Sequence, residues 1–259
     1  MQIYYEVHGH TGPYALFVHG FLSSRAQWRL NLPALTHIVR PVIVELWGHG
    51  RSPAPADPAA YFPAGYIEAF EGLRTALRAE RWMLCGQSFG AALTLRYALT
   101  HPDRVGALAF TNSTAALAGD DWFRARRVSA MKQAEEIERS GLAAIRMLPV
   151  HPSHAKQLPP EVQAEMVADA QLQSPPGIAN TLRYTLTSAS VRAQVQDLRV
   201  PTLLVCGRRE TRLAPLRAFA EQTIPGIQVV EADAGHAVNV EAAGVFNDAV
   251  AAFYGRYAE

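Results

Sequence analysis

The sequence predicts an α/β protein: a mostly parallel central sheet flanked by helices, with a helical lid inserted between its later strands. Three observations predict it. Apolar, β-branched runs alternate with helix-compatible segments; the strand signal disappears between about Ala115 and Ser190; and a serine sits between two glycines, in Gly86-Gln87-Ser88-Phe89-Gly90, where an apolar run ends and an Ala/Leu-rich run begins. Strands that alternate with helices pair in parallel, because a parallel neighbour is reached only by a crossover connection.

The first two runs, Ile3 to Val7 and Tyr14 to Val18, are joined by His8-Gly9-His10-Thr11-Gly12-Pro13, a turn-rich link short enough for an antiparallel hairpin. The later strands are Val42 to Leu46, Trp82 to Cys85, Val105 to Phe110, Thr202 to Cys206 and Ile227 to Val230. Helices are expected over Tyr66 to Glu80, Phe89 to Leu99, Leu216 to Gln222 and Ala242 to Tyr257. The strand-free region reads as a helix from Asp120 to about Ser140 and a shorter one from Leu142. A Pro/His-rich link follows (Pro149-Val150-His151-Pro152-Ser153-His154), then helices near Glu161 to Gln171 and Ile178 to Thr187. The expected organisation is therefore a core of residues 1–114 and 191–259 and a lid of residues 115–190 over the C-terminal edge of the sheet.

At 259 residues, the chain can build one sizeable core with an inserted lobe. With 49% hydrophobic and 18% charged residues it reads as globular, and a formal charge of +1 argues against a nucleic-acid or membrane-surface partner. The start, MQIYYEVHGH, has neither a basic segment nor an apolar h-region, and no apolar run approaches ~18 residues. A cytoplasmic setting without a secretory leader is expected. Cys85 and Cys206 each end an apolar run before a glycine and read as small buried hydrophobes. His151 and His154 have a spacing that can ligate metal, but no matching carboxylate pair accompanies them, so no metal site is expected.

Trp82 to Cys85 suits a buried strand and Ala91 to Leu99 a helix, so Ser88 lies on a strand-to-helix turn. Such a turn is strained, and its flanking glycines let strand and helix approach closely; the helix behind it points free N–H groups at any developing oxyanion. An unperturbed serine hydroxyl is a poor nucleophile and needs a base, itself oriented by a third group. His236, in Asp233-Ala234-Gly235-His236-Ala237, follows the last strand, at the edge where open α/β sheets bind ligands. Glu210 follows the strand before it, three residues past Gly207. The order Ser88, Glu210, His236 is that of α/β-hydrolases.

Nearly the whole chain resembles the α/β-hydrolase superfamily, in its lidded branch of small esterases, lactonases and carbon–carbon bond hydrolases. The pieces that carry the resemblance are Val18-His19-Gly20-Phe21, the run Glu45 to Ser52 (ELWGHGRS), the Gly86 to Gly90 elbow, Gly207 to Glu210, and Ala234-Gly235-His236 followed by Glu241 and Phe246. The resemblance implies the α/β-hydrolase fold, a Ser88–His236–Glu210 triad, and an oxyanion hole built from the backbone amides of Phe21 and Phe89. It implies no metal or organic cofactor. Two positions depart from the family's pattern: Glu210 stands where Asp is commoner, with Arg208 and Arg209 beside it, and Glu45 stands where Asp usually precedes the glycine-rich loop. Asn112 occupies a second place where relatives carry the acid.

The expected activity is hydrolysis of a small-molecule carboxylic ester or lactone. His19 and His49 read as structural hydrogen-bonding residues. Trp122, Phe123, Met131, Ile145, Met147, Leu148, Met166, Leu172 and Tyr184 suggest a mainly apolar pocket under the lid. At 100° per residue, Arg127, Ala130, Ala134 and Ile137 lie within about 40° of Phe123, which puts Arg127 on the apolar face and makes it, with Trp122 and Phe123, a candidate substrate contact. Resemblance also leaves open the menaquinone-pathway synthases, which eliminate pyruvate, and carbon–carbon bond hydrolysis. The synthases carry an arginine four residues after the nucleophile, where this chain has Ala92. A non-catalytic receptor on the same fold is a further alternative, disfavoured by the intact set of Ser, His and carboxylate.

Overall fold

The computed structural model describes residues 1–258; Glu259, the last residue of the expected core range, lies outside them. Seven strands form one sheet: β1 (Tyr4–Val7), β2 (Tyr14–Val18), β3 (Arg40–Glu45), β4 (Trp82–Gly86), β5 (Val105–Thr111), β6 (Thr202–Gly207) and β7 (Gln228–Ala232). Their order is β1-β3-β2-β4-β5-β6-β7, parallel except at β1. β3 to β6 are buried almost throughout, whereas the edge strands β1 and β7 are partly exposed. Alternation splits the core. Leu16, Val18, Val44, Leu84, Phe110 and Leu204 pack on one face, and Ala15, Phe17, Ile43, Cys85, Ala109 and Val205 on the other. Both cysteines are free and buried.

The expected hairpin does not form. β1 runs antiparallel to β3, Tyr4 opposite Glu45, and β3 lies between β1 and β2. Neighbouring strands lie only about 4.8 Å apart, so the link from His8 to Pro13, turning at Gly9 (φ 72°) and Gly12 (φ 78°), is long enough to step over one strand.

Between β5 and β6 the chain is helical: Thr114–Leu117, Asp120–Ser140, Leu142–Arg146, Pro160–Ala170 and Pro175–Asn180, the last continuing into a wider turn over Thr181–Thr185. Ala130, Ala134 and Ile137 of the long helix are buried, and that end packs against the Pro175–Asn180 helix.

The strand order also fixes where a site can lie. From β2 the chain moves to β3 on one side, and from β4 to β5 on the other, so the loops leaving the adjacent C-terminal ends of β2 and β4 diverge and open a crevice. No helix among the described residues is long and apolar enough to cross a membrane.

Candidate active site

Ser88 ends the β4 turn with φ 51° and ψ −111°, a left-handed conformation that costs a non-glycine residue about 1–3 kcal/mol. Its backbone N–H donates to Thr111 Oγ1 at 3.1 Å, and the Gln87 amide donates to the Val18 carbonyl at 3.0 Å. Tightness explains the glycines. A Cβ at Gly90 would run into the Val18 carbonyl, and one at Gly86 into Thr94 and Ala91 of the following helix, Phe89–Thr100.

His236, in the loop after β7, places Nε2 2.7 Å from Ser88 Oγ and Nδ1 2.7 Å from Glu210 Oε1. Glu210 follows β6, and its other oxygen accepts from Asn112 Nδ2 at 3.0 Å. Four successive C-terminal strand ends thus contribute Ser88, Asn112, Glu210 and His236. The imidazole is 44% exposed and the Glu210 carboxylate 15%, so the relay opens to solvent at the histidine and is shielded at the acid. Among the described residues neither neighbouring arginine pairs with Glu210. Arg209 donates instead to Glu241 at 3.0 Å. Glu241 also accepts the Gly235 amide at 2.7 Å and the Ala237 amide at 3.2 Å, gripping the backbone on both sides of His236. Gln87 Nε2 holds the His236 carbonyl at 3.3 Å.

The loop after β2 is fixed by two buried histidines. His19 Nδ1 donates to the Gly20 carbonyl at 2.7 Å while its Nε2 accepts the Leu46 amide at 3.0 Å. His49 Nδ1 donates to the Trp47 carbonyl at 3.0 Å, and its Nε2 accepts the Leu22 amide at 3.3 Å. Each ring therefore uses one nitrogen as donor and one as acceptor, which only the neutral form can do. Burial pushes His19 down to about 4 and, with the nearby His19 ring, pushes His49 down to about 3. Phe21 lies between the two clamped groups, the Gly20 carbonyl and the Leu22 amide. The Phe21 and Phe89 amides have no acceptor among the described residues, as groups kept for a ligand oxygen would.

Glu45 lies fully buried below this loop. It accepts from the Arg51 amide at 2.6 Å and from Arg51 Nη1 at 3.1 Å, and burial raises its carboxyl above the ordinary range. Gly50 (φ 50°) passes so close that a Cβ would meet the carboxylate. Arg51 reaches on to Asp169, at 2.8 Å, and ties the Pro160–Ala170 helix to the sheet.

A cavity of about 480 Å³ opens beside Ser88 and His236. Its walls include Phe21 and Leu22 from the β2 loop and Val150, His151, Leu158 and Met166 from the helical segment. The expected lid lining needs correction. Of the apolar residues named for it, only Met166 lines this cavity. Trp122 lines a separate cavity of about 460 Å³ on the other side of Glu210, with Leu213 and Leu216, and Phe123 packs on Trp122 and lines neither. Arg127 is exposed and lines neither cavity. The inward face of the long helix is set by Phe123, Arg126, Ala130, Ala134 and Ile137, which leaves Arg127 at its margin, beside Val128 at 62% exposed, and not on the face as expected. The half-buried arginine there is Arg126, held by Gln133 at 2.9 Å.

Residues 16–243 match the family described as alpha/beta hydrolase fold. A Bacillus subtilis (strain 168) protein, provisionally named 2-succinyl-6-hydroxy-2,4-cyclohexadiene-1-carboxylate synthase, is 26% identical over 243 residues, spanning 91% of this chain and 88% of its own length. Among solved structures, MenH from S. aureus is similar with a TM-score of 0.85 at 20% identity, covering 98% of this chain and 99% of that one. The enol-lactonase from Burkholderia xenovorans LB400 is similar with a TM-score of 0.80 at 25% identity, covering 97% and 95%.

Proposed function

We infer the function from one premise, which the match over residues 16–243 supplies: the chain belongs to the α/β-hydrolase family. The reading is a serine hydrolase that cleaves a small carboxylic ester or lactone. One observation carries it, the unbroken 2.7 Å contacts from Ser88 to His236 to Glu210.

Ser88 Oγ attacks the substrate carbonyl carbon as its proton passes to His236 Nε2, and the carbonyl π pair moves onto oxygen. The amides of Phe21 and Phe89 receive that oxyanion; a donor of this kind is typically worth about 2.7–4 kcal/mol in the transition state. Glu210, held by Asn112, keeps the ring in the tautomer whose Nε2 can accept, and balances the imidazolium charge. When the tetrahedral intermediate collapses, the ester C–O bond breaks and His236 returns the proton to the leaving alkoxide. Water then repeats the sequence on the acyl-enzyme, leaving free Ser88 and the acid. In a lactone, the released alcohol stays attached to the acyl group. The 25% identity and full-length fit to an enol-lactonase support this reading.

The long match to a protein named as a synthase supports a second reading, pyruvate elimination with the same triad as base. Against it stands Ala92, fully buried where those enzymes carry an arginine for a polyanionic substrate.

The test is turnover of p-nitrophenyl esters of graded acyl length by the wild type and by Ser88→Ala in EDTA. Turnover by the wild type that is lost in the variant supports the ester reading. A folded wild type that hydrolyses none of them moves the assignment to the second reading.

A further inference from the structure

The ester chemistry leaves one wall of the cavity without a task. His151 lines the cavity beside Ser88, yet the residue is only 3% exposed. Its Nδ1 accepts the Ser153 backbone N–H at 3.2 Å and lies 2.8 Å from Ser153 Oγ. A ring nitrogen that accepts a backbone amide carries no proton, so the proton of the neutral ring sits on Nε2. That Nε2–H has no acceptor among the described residues, and it is not among the polar atoms sealed off by protein. A donor open to the cavity is satisfied by water until a ligand covers it, and a ligand that covered it without offering an acceptor would leave it unpaired at a cost.

The ring is also held in place before any ligand arrives. Pro152 fixes the backbone behind it, Gln163 Nε2 donates to the Pro152 carbonyl at 3.1 Å, and His154 Nε2 lies 2.9 Å from the Arg146 carbonyl. The same cavity carries apolar Leu22, Val150, Leu158 and Met166 together with polar Gln157 and the cationic Arg212.

We propose that His151 is a specificity-determining residue whose Nε2–H receives a neutral oxygen of the substrate, a ketone or ether oxygen remote from the scissile bond. Resting on the ester-cleaving reading of the same site, this narrows the substrate class to oxo- or alkoxy-substituted esters or lactones. Burial, with His154 and Arg146 nearby, holds the His151 ring below the usual range, so the donor is uncharged near neutral pH. An uncharged donor suits a neutral acceptor, whereas a carboxylate in this cavity would be drawn to the charge of Arg212.

The experiment compares kcat/KM for p-nitrophenyl 4-oxopentanoate and p-nitrophenyl pentanoate, which differ by a ketone in place of a methylene, each corrected for its spontaneous hydrolysis. The wild type is expected to prefer the oxo ester roughly fivefold, the worth of one neutral hydrogen bond. His151→Phe is expected to abolish the preference and His151→Gln, which keeps a donor, to restore part of it. The readout is the ratio alone. A preference unchanged in His151→Phe, or an equal fall of both rates in that variant, overturns the proposal. If neither ester is turned over, the ester reading fails by itself. The donor is then read from calorimetric binding of 4-oxopentanoate against pentanoate, where a wild-type preference lost in His151→Phe supports it and equal affinities overturn it.

Discussion

Acidification from pH 7.5 to 5 should destabilise the fold through His19 and His49. Both are neutral and buried, with folded values of about 4 and about 3 against an ordinary 6.5. Because the folded values lie below the unfolded one, the unfolded chain binds more protons between pH 6.5 and about 4. The stability contribution is therefore complete above pH 6.5 and is lost as the pH falls. At about 1.36 kcal/mol per pH unit, each ring costs about 2 kcal/mol at pH 5, and the pair about 4 kcal/mol. That is a large part of a typical stability of ~5–15 kcal/mol. Glu45, raised by burial, takes up a proton more readily in the folded state and offsets part of the loss. Glu71, held down to about 2 by Arg74, keeps its contribution above its unfolded value of 4.5 and loses it only as the pH falls below that, outside the pH 7.5 to 5 range considered. The assay is urea unfolding followed by tryptophan fluorescence at pH 7.5, 6 and 5, on the wild type and on His49→Leu. The variant should lose about half of the pH slope. A flat wild-type profile, or an unchanged slope in His49→Leu, would refute the assignment of the two rings as neutral clamps.

Glu210→Gln should lower kcat/KM by about 10²- to 10⁴-fold, because the amide can hold His236 in the wrong tautomer; stopped-flow acylation rates check it, and a loss under fivefold contradicts the triad. Arg51→Ala leaves Glu45, fully buried, and Asp169, 4% exposed, without their shared cation. A loss of about 3 kcal/mol in urea unfolding is expected, with a raised KM because Asp169 sits on the helix that carries Met166 into the cavity. Gly90→Ala forces a Cβ against the Val18 carbonyl, and a drop of at least about 2 kcal/mol, read as a lower Tm, should accompany it.

What the sequence made legible was what local pattern encodes. Apolar β-branched runs and Ala/Leu-rich segments mark all seven strands and most helices to within a few residues, and glycines flank the turn at Ser88 because two backbone elements nearly touch there. Ser88, Glu210 and His236 were findable for the same reason, since each follows a strand directly. The pairing of β1 was not legible: a six-residue link fits a hairpin and a step over one strand equally well, and the choice is made by β3, more than twenty residues away. Nor was the cavity wall. Helical periodicity puts Arg127 on the apolar face of the Asp120–Ser140 helix and Arg126 at its margin, but burial follows the partners that pack there, so Arg126 is half-buried, Arg127 is exposed, and the Pro/His-rich link lines the cavity. Asn112 looked inert for lack of a carboxylate, although its amide is what the second oxygen of Glu210 uses.

The distribution of strain makes an independent argument for where function resides. Only three non-glycine residues among those described adopt positive φ: Leu22, Arg78 and Ser88. Two of them bracket the crevice between β2 and β4, Leu22 next to the Phe21 amide and Ser88 next to the Phe89 amide. Neither conformation is a local preference of leucine or serine, and each is held by contacts made elsewhere. His49 captures the Leu22 amide, while Thr111 captures that of Ser88. A fold that only needed to bury its core had no reason to strain these two turns and then pin both with buried polar groups. Strain of this kind persists where fixed dipoles must be aimed before the substrate arrives, because dipoles already in place need no reorganisation when charge develops. The neutrality of His19 and His49 belongs to the same design. A protonated ring at either position would lose the acceptor that fixes the loop, so, with the Phe21 amide in the oxyanion-binding role proposed above, the pH at which the clamps fail should also be the pH at which its aim is lost.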